Sequence, residues 1–213
     1  MTHAVLHISN VTCARGGEDL FEPVSCQLAS GELAVIAGPN GSGKTTLMAS
    51  LAGLKVIEAG DMRFNDSSEQ TAWLQHSHYI GHQLGNKGNL SCAENLSFAL
   101  KINQVSATEA QLEAALEAVG LAGYEYHLAS ELSAGQKKRL ALSRLLLIDK
   151  PFWLLDEPFV NLDHAGCDWL YQTIADHLKL GGAVMLTAHD QQKIHQLANH
   201  HIDLKPITDE DLL

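Results

Sequence analysis

One octapeptide limits how this chain can fold: Gly38-Pro39-Asn40-Gly41-Ser42-Gly43-Lys44-Thr45. It satisfies G-x-x-x-x-G-K-[ST], in which glycines let successive backbone N–H groups turn inward around phosphate oxygens. The device needs a strand before the loop and a helix after it, because the helix N-terminus adds partial positive charge at the phosphate. Both are legible: residues 33–37, Leu-Ala-Val-Ile-Ala, read as a buried strand, and 45–54 as a helix ending near Gly53. Lys44 is then expected to reach the β- and γ-phosphates of a nucleotide. The Thr45 hydroxyl is expected to ligate magnesium, with Thr46 beside it.

A second apolar run, 152–155, ends in Asp156 and Glu157. A buried parallel strand would deliver both carboxylates to its C-terminal edge, where ligands bind in such sheets. There Asp156 would hold the magnesium shell and Glu157 would polarise an attacking water as general base. Solvated strand ends also carry acids, so this pair means little without the loop. Residues 183–187 read as another buried strand, after a helical stretch at 169–180.

Between 106 and 120 Leu112, Ala115, Leu116 and Val119 recur at helical spacing, with Ser106 or Thr108 as N-cap and Gly120 as the stop. A further helix is predicted from Ser133 through Lys137-Lys138-Arg139 to Ile148. The first thirty residues read as short strands, with turns at Gly16-Gly17 and Ser30-Gly31. Strands alternating with helices predict an α/β fold with a mainly parallel sheet. No repeat or linker tract divides it.

The net charge of −11, with Lys and Arg scattered, argues against nucleic acid or anionic lipid as main ligand. The apolar run 140–148 contains Arg144 and is far short of the roughly twenty residues a spanning helix needs. Residues 4–11 alternate like a strand, so no secretory signal is expected. Four separated cysteines, Cys13, Cys26, Cys92 and Cys167, suit buried thiols in a reducing compartment. His76, His78 and His82 fall close together but match no metal or haem-attachment motif, and solvated or hydrogen-bonded histidines are the simpler reading.

Leu132-Ser133-Ala134-Gly135-Gln136 resembles the Leu-Ser-Gly-Gly-Gln signature of ABC ATPases, with Ala134 in place of the first glycine. Asn161-Leu162-Asp163 resembles that family's D-loop, Thr187-Ala188-His189 its switch-histidine motif, and Gln83 its Q-loop glutamine. The resemblance spans essentially the whole chain. It implies the ABC ATPase form of the P-loop NTPase fold, one domain over 1–213. An N-terminal antiparallel β subdomain and a helical lobe at about 84–148 would join the parallel core.

The resemblance further implies ATP and Mg2+ as ligands and a head-to-tail homodimer. Ser133, Gly135, Gln136 and Asp163 of one chain would serve the nucleotide gripped by the other. Gln83 would sense magnesium and water, and His189 would contact the γ-phosphate. Gln83 alone also reads as an ordinary surface loop residue. Where many members carry an aromatic ring against adenine, this chain has Cys13-Ala14-Arg15-Gly16-Gly17. The Arg15 guanidinium would stack on the base, or belong to a solvated turn.

Tyr79-Ile80-Gly81-His82-Gln83-Leu84-Gly85-Asn86-Lys87, the alanine-bearing signature and the short tail after His189 are similar to the cytochrome c biogenesis ATP-binding export branch of the family. That likeness implies a peripheral protein on the cytoplasmic face of the bacterial inner membrane. Its partners would be the membrane subunit CcmB with CcmC and CcmD, with a functional link to the haem chaperone CcmE, and its work haem export or release of loaded CcmE. With so short a tail, no regulatory domain is expected. Phe98, Leu100 and Ile102 are either a groove for a partner's helix or the lobe's own core. An ATPase serving another transporter, for lipoprotein, metal or another substrate, shares every catalytic residue; a soluble relative acting on DNA or ribosomes would need insertions absent here.

Overall fold

The computed structural model describes residues 4–188 and 191–207. They form two compact units: the chain up to His82 with Lys150–Pro158 and the chain from Ile174 onward, and Gln83–Asp149 with Phe159–Thr173.

The first unit carries the sheets. Strands β1 (Val5–Thr12), β4 (Val24–Ala29) and β6 (Ala59–Phe64) pair antiparallel in the order β4-β1-β6, and β2 (Ala14–Arg15) with β3 (Glu18–Asp19) makes a hairpin turned at Gly16-Gly17. Strands β5 (Leu33–Ala37), β7 (Ser77–Ile80), β8 (Phe152–Leu155), β9 (Ala183–Thr187) and β10 (His200–Asp203) build an all-parallel sheet ordered β10-β5-β9-β8-β7. Every residue of β8 and β9 is buried, as near-continuous apolar runs predict for strands covered on both faces. Helices α1 (Lys44–Leu51), α2 (Gln70–His76) and α7 (Gln192–Leu197) complete the unit, with the C-terminal part of α6 (His164–Lys179).

Phe64 of β6, Trp73 of α2 and Phe152 of β8 meet in an aromatic triangle with centroids 5.3–5.6 Å apart, tying the antiparallel sheet to the parallel one. The Trp73 indole N–H donates to the Leu51 carbonyl at 2.6 Å and anchors the end of α1.

The second unit is helical: α3 (Cys92–Ile102), α4 (Glu109–Ala118), α5 (Ala134–Leu142) and the first part of α6. Three capping boxes start its helices, Ser91 with Glu94, Thr108 with Gln111 and Ser133 with Gln136. Each such cap contributes about 1 kcal/mol. Leu96, Leu100, Leu112, Leu116, Val119, Leu140 and Ile148 pack as its core. Leu100 therefore belongs to the interior, whereas Phe98 and Ile102 are exposed.

The helix expected from Ser133 to Ile148 stops at Leu142 and tightens into a 3-10 turn over Ser143–Leu146. There the Ser143 hydroxyl bonds the Leu140 carbonyl at 2.9 Å, a local side-chain bond that competes with the helical ladder. Among the described residues no helix is long and apolar enough to cross a membrane.

Candidate nucleotide site

In the first unit β5 runs straight into the glycine-rich loop. Gly38 has φ 143°, and a β-carbon there would lie 2.7 Å from the Leu204 carbonyl oxygen and 2.9 Å from Ser42 Oγ. On Gly43, at φ 95°, it would meet the Phe21 ring at 2.7 Å. Both positions exclude side chains by conformation and by space. Pro39, Asn40 and Gly41 form the loop's crest, and Thr45 is exposed in the first turn of α1. Thr46 is buried, its hydroxyl accepting from Lys55 Nζ at 3.4 Å.

The Lys44 ammonium donates to the carbonyls of Gly38 and Pro39 at 2.8 and 2.9 Å, folding back over its own loop. Burial lowers its pKa, while the carboxylates of Glu157 and Asp156 pull the other way. The same two carboxylates thus lie within electrostatic reach of the loop cation. Ser42 Oγ is buried without a hydrogen-bond partner among the described residues, an orphaned polar atom in a loop built to receive phosphate oxygens.

Asp156 follows β8 and is fully buried. Its N–H donates to the Ile80 carbonyl at 2.9 Å. The Thr187 hydroxyl donates to Asp156 Oδ1 at 2.8 Å and accepts the N–H of Glu157 at 2.7 Å. Glu157 has φ 46°, a left-handed conformation uncommon for a residue with a β-carbon. The Tyr79 hydroxyl of β7 is pushed up to about 12 by burial and by the charge of Asp156. Arg15 sits exposed on the β2–β3 hairpin, which the Leu20 N–H closes onto Cys13 at 2.9 Å. Leu20 and Phe21, just after that hairpin, abut Gly43.

The second unit holds the other candidates. Gln83 is exposed at its start. Arg144 donates to the Leu84 carbonyl at 2.8 Å and to Asn86 Oδ1, and Asn86 Nδ2 donates to the Lys137 carbonyl at 2.8 Å, so the segment after Gln83 is tied to α5. Burial lowers the Arg144 pKa to about 10. Ser133 Oγ accepts the Gln136 N–H at 3.2 Å, and Gln136 Oε1 accepts the Ser133 N–H at 2.9 Å. Asp163 Oδ1 accepts the Gly166 N–H at 2.8 Å and pairs with Arg139, and these hold its carboxyl below the usual range, the Gly166 bond most strongly. His189 lies outside the described residues.

Residues 21–160 match the ABC transporter family model. The chain is 38% identical over 207 residues to the cytochrome c biogenesis ATP-binding export protein CcmA of Albidiferax ferrireducens, covering 96% of this chain and 99% of that one. The protein of the same name from Aliivibrio fischeri is 43% identical over 188 residues, covering 87% and 92%.

The chain belongs to the ABC transporter ATPases, in their CcmA branch.

The fold agrees. A putative ABC transporter ATP-binding protein from Pyrococcus furiosus superposes with a TM-score of 0.82 at 21% identity, covering 94% of this chain and 97% of that one. An ATP-binding subunit of another ABC transporter gives 0.84 at 20%, covering 98% and 91%. As an ABC ATPase the chain binds nucleotide, and the orphaned Ser42 hydroxyl, on a loop whose Gly38 and Gly43 admit no side chain, suits a polyphosphate. The Thr45 hydroxyl and the Asp156 carboxylate are hard oxygen donors of the kind Mg2+ selects.

In the sequence Thr187 stands out only by its place in the switch motif. Its position is set by strand register, Leu155 beside Leu186, which puts the next residues, Asp156 and Thr187, side by side. A threonine closing an apolar strand was the available signal, and nothing local tells which acid it adjoins.

Proposed function

We propose that this chain is the ATP-hydrolysing motor subunit of an ABC complex at the cytoplasmic face of the bacterial inner membrane, serving c-type cytochrome biogenesis through haem export or release of haem-loaded CcmE. The observation that carries the catalytic part is the pair Asp156 and Glu157 at the end of a buried parallel strand, within electrostatic reach of Lys44. Its likeness to the CcmA proteins of Albidiferax ferrireducens and Aliivibrio fischeri supports the biological setting.

Lys44 and the loop N–H groups grip the β- and γ-phosphates. Thr45 and Asp156 would hold Mg2+, which would neutralise phosphate charge. Glu157 accepts a proton from water as the water oxygen bonds the γ-phosphorus. The bond to the β–γ bridging oxygen breaks, giving ADP and phosphate. Gln83 and His189 carry the roles that the family resemblance implies.

Two chains work head to tail, with Ser133, Gly135, Gln136 and Asp163 of one chain facing the nucleotide of its partner, and Arg15 beside the base. Exposed Phe98 and Ile102, one turn apart on α3, offer an apolar contact to CcmB, with CcmC and CcmD alongside.

The test is a strain whose only copy carries Glu157→Gln at wild-type protein level, scored for covalently bound haem. Loss of c-type cytochromes with other haem proteins intact is expected, as is purified complex that binds ATP without turning it over. Unchanged cytochromes would move the chain to another transporter. Retained turnover would remove Glu157 as the base.

A further inference from the structure

We propose that Thr187 is a positioning residue for hydrolysis, its hydroxyl fixing the carboxylate of Asp156 and the backbone of Glu157 as one rigid piece. This rests on the roles given to Asp156 and Glu157 above. Thr187 is fully buried at the end of β9. Its hydroxyl has one proton and two lone pairs. The proton goes to Asp156 Oδ1 at 2.8 Å, and a lone pair receives the Glu157 N–H at 2.7 Å. The directions are forced, because a carboxylate only accepts and a peptide N–H only donates.

The backbone explains why such a brace is needed. Consecutive N–H groups leave β8 in different directions, that of Asp156 to the Ile80 carbonyl at the end of β7 and that of Glu157 to the side chain ending β9. The two peptides are thereby turned to the strands on either side, while the Asp156 carboxylate meets Thr187 on the β9 side. Glu157 holds φ 46°, and a left-handed residue persists only where its surroundings over-determine it. Without the hydroxyl the Glu157 N–H loses this acceptor, and the Asp156 carboxylate loses one of the groups that orient it. A metal-binding carboxylate and a general base then drift relative to each other, and displacement of this kind is costly to catalysis.

Thr187→Val keeps the branched shape and removes the hydroxyl. Thr187→Ser keeps the hydroxyl and removes the methyl. Both are made in the assembled membrane complex, with Thr187→Ala as a second hydroxyl-free variant if valine prevents folding. Three quantities are read: ATP turnover, the Mg2+ concentration that half-saturates binding of a fluorescent ATP analogue in a Glu157→Gln background, and hydrogen exchange of the Glu157 amide.

For valine, kcat is expected to fall by about 10- to 100-fold and the half-saturating Mg2+ to rise by about tenfold or more, with KM for ATP within a few-fold of wild type. The Glu157 amide should exchange faster. Serine should stay near wild type in all three. Wild-type behaviour of the valine variant overturns the proposal, and so does a serine variant as impaired as valine, since packing would then explain the loss. The two readings separate cleanly: turnover retained by Glu157→Gln alone defeats the base assignment, whereas an inert Glu157→Gln beside an active Thr187→Val defeats only the role of Thr187.

Discussion

The carbonyl oxygen of Asn161 lies 2.6 Å from where a β-carbon on Gly135 would sit. Asn161 itself has φ 66°, so the turn before α6 is bent to bring that carbonyl against the first turn of α5. Gly135 is therefore required by its own chain, apart from any nucleotide that the signature segment meets.

Gly135→Ala should force backbone apart, because the obstructing atom is a carbonyl and not the end of a flexible side chain. Overpacking of this kind costs about 1–3 kcal/mol. At roughly 2–4 °C per kcal/mol for a chain of this size, calorimetry should show Tm falling by several degrees. A variant of unchanged Tm would mean that the turn moves aside without cost.

Arg144 offers a separate test. Replacing it with leucine leaves the Leu84 carbonyl and Asn86 Oδ1 without their donor, and each stranded acceptor costs about 1–3 kcal/mol. Arg144→Lys supplies a charge without the fork, so it should recover only part of the loss. Denaturant midpoints read this directly, with leucine lowest, lysine intermediate and wild type highest.

Acid should act through Glu32, which accepts the Ala29 N–H at 2.8 Å and pairs with His200 at 2.9 Å. Burial pushes its pKa up, but the Ala29 bond and His200 together bring it below the ordinary 4.5. A carboxyl lowered on folding stabilises the fold above its unfolded pKa, and that contribution is lost as pH falls through the folded value. Wild type should hence lose more Tm than Glu32→Gln between pH 7 and pH 4 or below. Equal losses would remove Glu32 from the acid response.

Local patterns carried much of this molecule. The loop Gly38 to Thr45 declares itself because its chemistry depends on neighbours in sequence, and β5, β8 and β9 stand out as uninterrupted apolar runs. Helix α4 was legible from both ends, with Thr108 capping it and Gly120 at φ 74° just beyond its end. By contrast β6, α2, β7 and α3 escaped notice. The strand β6 is half exposed and carries Gly60, Asp61 and Arg63, so it lacks an apolar run, and α2 buries only Trp73.

Within the candidate site the gaps are of another kind. Thr187 and Asp156 are 31 residues apart, and Arg144 and Leu84 are 60 apart. Such contacts follow from register and packing, which no local window contains. The early end of α5 has a different, local origin, a hydroxyl at Ser143 bonding back three residues to the Leu140 carbonyl.

The two carbonyl bonds of Lys44 bear on how tightly a nucleotide is kept. Those oxygens take two of the ammonium's three N–H groups, which leaves the third for an arriving phosphate without displacing either carbonyl. The same two bonds can persist whether or not a phosphate is present, keeping the cation over the loop. Held in this way before any ligand arrives, the charge loses little freedom on meeting a phosphate, so little ordering entropy opposes capture of the next nucleotide.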